Sequence, residues 1–263
     1  MLELILFGIA FIGSLAAGLW DLKTTEIPDE IPTLMIALGV ALWLMSGNIY
    51  GFALSMVFGI SFLLFGWLLY KAGQWGGGDA KMLSAIGFLI PLFGGRLLAL
   101  DFFFNLFFVG LFYMVVYSVA LGFLNKGTFS TFGKAMTREK IISAVVIALI
   151  VVSGLTFVFI SESMVAAELL LILALLMLFW KYSKTVENNI FKKKIPTSKL
   201  RVGDVLLESK QWDGISEEDL AKIKRSGKKF VTIKEGVRFG MVFFIALIVT
   251  YFAGNIIFFL VGM

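Results

Sequence analysis

The sequence predicts an all-α polytopic membrane protein of about eight transmembrane helices, with a small α+β cytoplasmic module before the last one. Three observations predict it. Of the 263 residues 59% are hydrophobic. Several apolar runs approach or exceed the roughly 20 residues that span a bilayer, where a soluble domain would alternate them with polar faces. Lys and Arg gather in alternate loops, as they do on the cytoplasmic side of membrane proteins.

Residues 2–20 are the first span. Glu3 stands where a signal peptide would carry a positive region, so the run reads as a helix of the mature protein. Residues 21–30 form a polar loop, and Pro28 and Pro32 interrupt helix continuity there. A short apolar run at 31–45 ends in the turn Ser46-Gly47-Asn48. The third span is 52–70, followed by a glycine loop at 71–79. The fourth is 80–92, with Pro91 near its end and Gly94-Gly95-Arg96 beyond. The fifth, 102–124, is rich in Phe, and 125–140 is polar and basic. Runs at 141–160 and 164–180 flank Ser161-Glu162-Ser163; the hydrophilic, basic stretch 181–237 precedes the last run at 238–261.

The expected organisation is a helical membrane core at 1–124, a basic loop and helical hairpin at 125–180, a cytoplasmic module at 181–237 and a C-terminal transmembrane helix at 238–263. Charge decides the hairpin. With the N-terminus outside, every one of the 23 Lys and Arg residues except Arg96 falls inside. A single pass through 141–180 would strand the basic 181–237 region outside. The net charge of +5 is thus a matter of topology.

Within the module, 202–207 and 230–233 have strand composition. Ser216-Glu217-Glu218-Asp219 has the pattern that opens a helix, here over 217–225. Lys192-Lys193-Lys194 suits anionic lipid head groups, which makes membrane lipids the expected partner of that run and nucleic acid not.

The chain has no His and no Cys. That excludes a Ser-His-Asp triad, a Cys-His pair, a His-based zinc site and disulfides. Acid–base chemistry falls to carboxylates, Lys or Tyr. In this topology Asp21, at the inner end of the first helix, and Asp79, at the inner start of the fourth, reach one membrane face. Asp101, Glu162 and Glu168 fall near the opposite face. Stripes of small residues, Gly13, Ser14, Ala17 and Gly18 on one helix and Ala80, Ser84 and Gly87 on the other, would let the two helices approach.

Two carboxyls held close together cannot both ionise comfortably, so the pair shares a proton near neutral pH. One member can then take a proton from water while the other donates to a carbonyl oxygen, which is peptide hydrolysis without a covalent adduct. Gly76, Gly77 and Gly78, lacking Cβ atoms, would let a substrate backbone come close. The plainer alternatives are that Asp79 is the N-cap of its helix and Asp21 a solvated charge at a helix end. Lys81 reads first as an anchor at the inner face.

Gly76-Gly77-Gly78-Asp79 matches the G-x-G-D signature of membrane aspartyl proteases. Joined to Asp21-…-Ile27-Pro28-Asp29 after an N-terminal helix, and to Ala80-Lys81-Met82-Leu83, it resembles the archaeal preflagellin peptidase and type IV prepilin peptidase family. The likeness is firm over about residues 1–95. It implies that Asp21 and Asp79 are the catalytic pair. It also implies that the substrate is a preflagellin or prepilin-like precursor, whose short basic leader is cut off at the cytoplasmic face. Bacterial members commonly carry paired zinc-binding cysteines in a cytoplasmic loop, and many methylate the new N-terminus. With no Cys, the chain is expected to need no cofactor and no metal and to sit nearer the archaeal branch. Glu26, Asp29 and Glu30, beside Asp21 on an otherwise basic face, are expected to attract the leader. The alternatives are a proton- or cation-coupled transporter using the same aspartates, which would favour acids near the midplane, and a scaffold whose module binds partners.

Overall fold

The computed structural model describes residues 1–159, 164–212 and 214–256. In chain order its helices and strands are α1 (Leu2–Thr24), α2 (Glu30–Met45), α3 (Ile49–Lys71), α4 (Gly77–Leu89), α5 (Leu98–Leu124), α6 (Thr128–Arg138), α7 (Lys140–Phe159), α8 (Met164–Val186), β1 (Lys192–Pro196), β2 (Val205–Leu206), α9 (Glu217–Arg225), β3 (Phe230–Lys234) and α10 (Gly240–Ala253). They group into two compact units, one of residues 1–114 and 194–263, the other of 115–193.

The expectation of about eight crossings meets a smaller number. Four described helical stretches have the length and composition to cross a membrane: α1, α3, α5 and the stretch Ala167–Phe191 that begins in α8. A fifth is added if α6 and α7, which meet at 92°, count as one broken span. Helices α2, α4 and α10 have 16, 13 and 14 residues, short of the roughly 20 that a bilayer requires. The chain therefore carries the helices of a multi-pass membrane protein, but not eight full-length ones among the described residues.

In the first unit, the turns and caps follow from local chemistry. Helix α1 ends where Thr25 takes a left-handed conformation (φ 66°) and its N–H donates to the Asp21 carbonyl. Pro32 lies in the first turn of α2, where a missing N–H costs nothing. The Asn48 side chain caps α3 by accepting from the Gly51 N–H at 3.0 Å. The core is made by Leu6, Ala10 and Ala17 of α1, Met35 and Trp43 of α2, Met82 to Leu89 of α4, Phe102 and Leu106 of α5, and Val242 to Leu247 of α10. Buried polar groups inside it are satisfied. Trp43 Nε1–H donates to the Leu89 carbonyl (3.3 Å), and Asn105 Nδ2–H to Thr250 Oγ1 (3.0 Å) and the Gly254 carbonyl (2.6 Å).

Helices α1 and α4 do pack against each other, while several residues of the small-residue stripes serve other neighbours. On α4, Ala80 lies against Gly66 of α3, Ser84 Oγ–H donates to the Gly59 carbonyl (2.9 Å), and a Cβ at Gly87 would stand 3.0 Å from the Phe58 backbone. On α1, Gly13 faces Met35 of α2 and Gly18 faces Met241 of α10. Close approach in each case lets flat helix faces gain dispersion contacts; α4 thereby settles on α3, and α1 on α2 and α10.

The polar module in the same unit carries a three-stranded sheet in the order β1-β3-β2, with β2 antiparallel to β3 through Val205↔Lys234 and Leu206↔Ile233. Its small core is Leu200, Ile215 and Ile233. The Asp219 N–H donates to Ser216 Oγ at the start of α9, as the capping pattern implies. Strands and helix stand where composition places them; β1, which the triple-lysine run opens, is an addition.

The second unit contains α6, α7 and α8. The stretch 125–140, expected as a polar loop, is mostly the eleven-residue helix α6. Phe129 and Phe132 of α6 pack against Tyr182 of α8, and Glu139 pairs with the buried Lys181. Helices α7 and α8 pack together, with Ser153 Oγ–H donating to the Ala167 carbonyl at 2.7 Å. The expected turn at Ser161-Glu162-Ser163 lies outside the described residues.

Candidate active site

The glycine loop is built by the end of α3 and the start of α4. Gly73 turns the chain at φ +70°, and the Gln74 and Trp75 amides fold back to the Leu69 carbonyl. Helix α4 then starts at Gly77 with Gly76 as its N-cap. Asp79 is the third helical residue, not the N-cap. Its Oδ2 reaches back to accept from the Gly76 N–H at 3.1 Å, half of a capping box. A carboxylate there is favoured by the N-terminal end of the helix dipole. Asp79 stays partly exposed.

Asp21, in the last turn of α1, is 5% exposed. Its Oδ2 accepts from the Gly240 N–H, the first amide of α10, at 2.7 Å. Arg238 acts on it electrostatically. The reading of Asp21 as a solvated helix-end charge is therefore corrected; it is buried and hydrogen-bonded. Asp21 lies near enough to Asp79 for its charge to act on the Asp79 carboxyl.

The three glycines have different neighbours. A Cβ at Gly78 would stand 2.9 Å from Ile27 Cβ, so the Ile27-Pro28 segment after α1 lies directly on the loop before Asp79. At Gly76 the nearest atom is the Asp79 carboxyl (3.2 Å), while at Gly77 only Tyr70 approaches, at 4.0 Å. Close packing thus explains Gly78, and Gly77 keeps open space beside it. Trp75, next in the loop, packs on Phe107, Phe239 and Phe243.

Of the acids after α1, Glu26, Asp29 and Glu30 are all exposed. Asp29 forms an ion pair with Lys81 of α4, and Glu26 lies by Gly203 of the polar module. Lys81 is thus engaged with the Asp29 loop. Among the described residues, no three Asp or Glu side chains converge as a metal site would require.

Sequence reasoning missed the contributions of 210–240. The Trp212 Nε1–H donates to the Gly73 carbonyl at 2.9 Å, and a Cβ at Gly73 would meet the Lys210 carbonyl at 2.5 Å. Lys234 Nζ sits 4.5 Å from the centre of the Trp212 ring, a cation–π contact. Burial of Lys234 holds its ammonium below the usual lysine range. The module is thus pinned to the start of the glycine loop. One signal was available: a carboxylate at the C-terminal end of a helix needs a donor from another part of the chain.

Comparison with known proteins bears on this site. No curated protein and no solved structure matches the chain. Residues 8–122 match the model of the type IV leader peptidase family, a stretch that holds Asp21, the Ile27-Pro28 segment, the glycine loop and Asp79. Over residues 8–122 the chain is thus similar to the type IV leader peptidase family, a family of peptidases.

Proposed function

We propose that the chain is a membrane-embedded aspartyl endopeptidase that removes the short basic leader from preflagellin or type IV prepilin-like precursors at the cytoplasmic membrane face, with its N-terminus outside. The observation that carries the reading is that the Ile27-Pro28 segment after Asp21 lies on the glycine loop before Asp79, bringing the end of one helix beside the start of another, with the Asp21 charge acting on Asp79. Acids at helix ends suit a site reached from one membrane face better than a transport path through mid-span.

The chemistry needs one proton on the pair. The ionised carboxylate takes a proton from water as the water oxygen bonds to the scissile carbonyl carbon. The protonated partner gives its proton to the carbonyl oxygen, forming a tetrahedral gem-diol. Collapse breaks the C–N bond. One hydroxyl proton returns to a carboxylate while the amine nitrogen takes a proton from the other carboxyl, which restores the pair. Gly77, with open space at its Cα, is where an extended substrate backbone can come near the pair.

The test is cleavage of a preflagellin or prepilin-like precursor by membranes that contain the wild type, Asp21→Asn or Asp79→Asn. Each substitution should lower turnover at least ~100-fold while the protein stays inserted, since each removes one of two required proton carriers. Wild-type turnover by either variant defeats the two-carboxyl mechanism.

A further inference from the structure

We infer that the segment Arg238–Gly240, outside the family-matched residues 8–122, is a positioning part of the active site: it holds the buried Asp21 carboxyl in one orientation. The inference rests on the proposed aspartyl peptidase reading and adds to it a third participant.

The argument begins with the position of Asp21. It is buried in the last turn of α1, where the carbonyl-rich end of the helix repels a carboxylate. The same turn supplies no compensating donor, because its carbonyls accept and its amides are already spent within the helix. Left alone, such a side chain would rotate toward water. What holds it is the opposite end of another helix. The first turn of α10 has amides without helical partners, and the Gly240 N–H donates to Asp21 Oδ2 at 2.7 Å, short for an N–H···O bond. The positive end of the α10 dipole and the Arg238 charge act on the same carboxyl.

Two glycines make this contact possible, one on each helix. A Cβ at Gly240 would stand 2.9 Å from Asp21 Cβ and 3.1 Å from Oδ2. A Cβ at Gly18, one turn before Asp21, would stand 2.9 Å from Met241 Cα. The two carbon–carbon distances of 2.9 Å are closer than carbon atoms tolerate, so either Cβ must push α1 and α10 apart at Asp21. Arg238 is fixed in turn, since its carbonyl accepts from the Tyr113 hydroxyl at 2.7 Å. With Oδ2 bound to an amide, the carboxyl of Asp21 keeps one rotamer, and its remaining oxygen is presented in one direction. Positioning of this kind affects turnover more than substrate binding.

The experiment measures kcat and KM separately for a preflagellin-type precursor with the full-length protein in membranes. Gly240→Ala and Gly18→Ala should each lower kcat about 10- to 100-fold with KM within about twofold, the cost of moving a catalytic group by a fraction of an ångström to an ångström. Arg238→Gln should lower kcat several-fold and Arg238→Lys should restore most of it, a rescue that a purely packing role would not give. Gly8→Ala, on the same helix with nothing within 4 Å of its Cβ, should match the wild type. Wild-type kcat in both Gly240→Ala and Arg238→Gln, or losses confined to KM, would overturn the inference. If Gly240→Ala fails to fold, the Arg238 pair decides alone, by presence or absence of the loss and its rescue. Asp21→Asn separates the two levels. An active Asp21→Asn sinks the peptidase mechanism and this inference with it. An inactive Asp21→Asn beside fully active Gly240→Ala and Arg238→Gln removes the positioning role only.

Discussion

Asp79 takes its backbone hydrogen bond from Gly76, three residues before it in the same loop, whereas Asp21 takes its own from Gly240, 219 positions along the chain. The first arrangement forms as soon as the loop and the first turn of α4 form, because a third-position carboxylate reaching back to the N-cap amide is local helix chemistry. The second exists only when α10 has packed on α1. One half of the site is thus a property of a short peptide segment, and the other half is a property of the tertiary fold. Substitutions that touch the loop should act first on Asp79, and those at the α1–α10 contact first on Asp21.

The largest effect expected from the loop is at Gly78. Gly78→Ala places a methyl 2.9 Å from Ile27 Cβ and 3.1 Å from the Ile27 carbonyl, so either the Ile27-Pro28 segment or the Asp79 turn must move. Cleavage should fall about 10- to 100-fold, by the same sensitivity to misplacement. Gly77→Ala, with 4.0 Å to its nearest neighbour, should leave the fold intact and cost activity only where the substrate itself needs the space. Equal, small effects at both positions would remove the distinction between a packing glycine and an access glycine. The assay is precursor cleavage, with thermal unfolding in detergent as the control for stability.

The same contrast explains what could be read from the sequence. Asp79, its glycines, the Ile27-Pro28 loop and the α9 cap were legible because each rests on a short-range pattern with a local physical cause. The module's strands at Val205–Leu206 and Phe230–Lys234 were legible for the same reason. The partners of the small-residue stripes were not. Gly18 and Ser84 announce that a helix will come close without saying which, and the structure gives them Met241 and Gly59. Helix length was overestimated where an apolar run continues into a non-helical segment, as at Ile90-Pro91 after α4. Arg238 and Gly240 carry no pattern at all; only the burial of Asp21 makes them necessary.

A smaller effect is expected where the module meets the loop. Trp212→Phe keeps the ring under Lys234 but deletes the Nε1–H that donates to the Gly73 carbonyl. One neutral hydrogen bond contributes about 0.5–1.5 kcal/mol, so cleavage should drop by roughly two- to tenfold, with rates falling on the Asp79 side of the site. Because Gly73 sits three residues before Gly76, the loss should add to that of Gly78→Ala less than independent effects would. Full additivity in the double variant would mean that Trp212 does not act through the loop.

The smallest effect concerns Asp29, and it tests how the acids after α1 divide their work. Asp29 is exposed and paired with Lys81, on side chains 64% and 42% accessible, and a pair so exposed contributes at most about 1 kcal/mol to stability. Its charge is also already balanced, so it adds little to any attraction for a basic leader. Glu26 and Glu30 are exposed on the same loop. Asp29→Asn should therefore change KM for the precursor by less than about twofold at any salt concentration. Glu26→Gln combined with Glu30→Gln should raise KM clearly at low salt and progressively less as salt screens the leader's charge. A rise in KM for Asp29→Asn as large as for the double variant would show that the Lys81 pair opens when the leader binds, and that all three acids then face the substrate together.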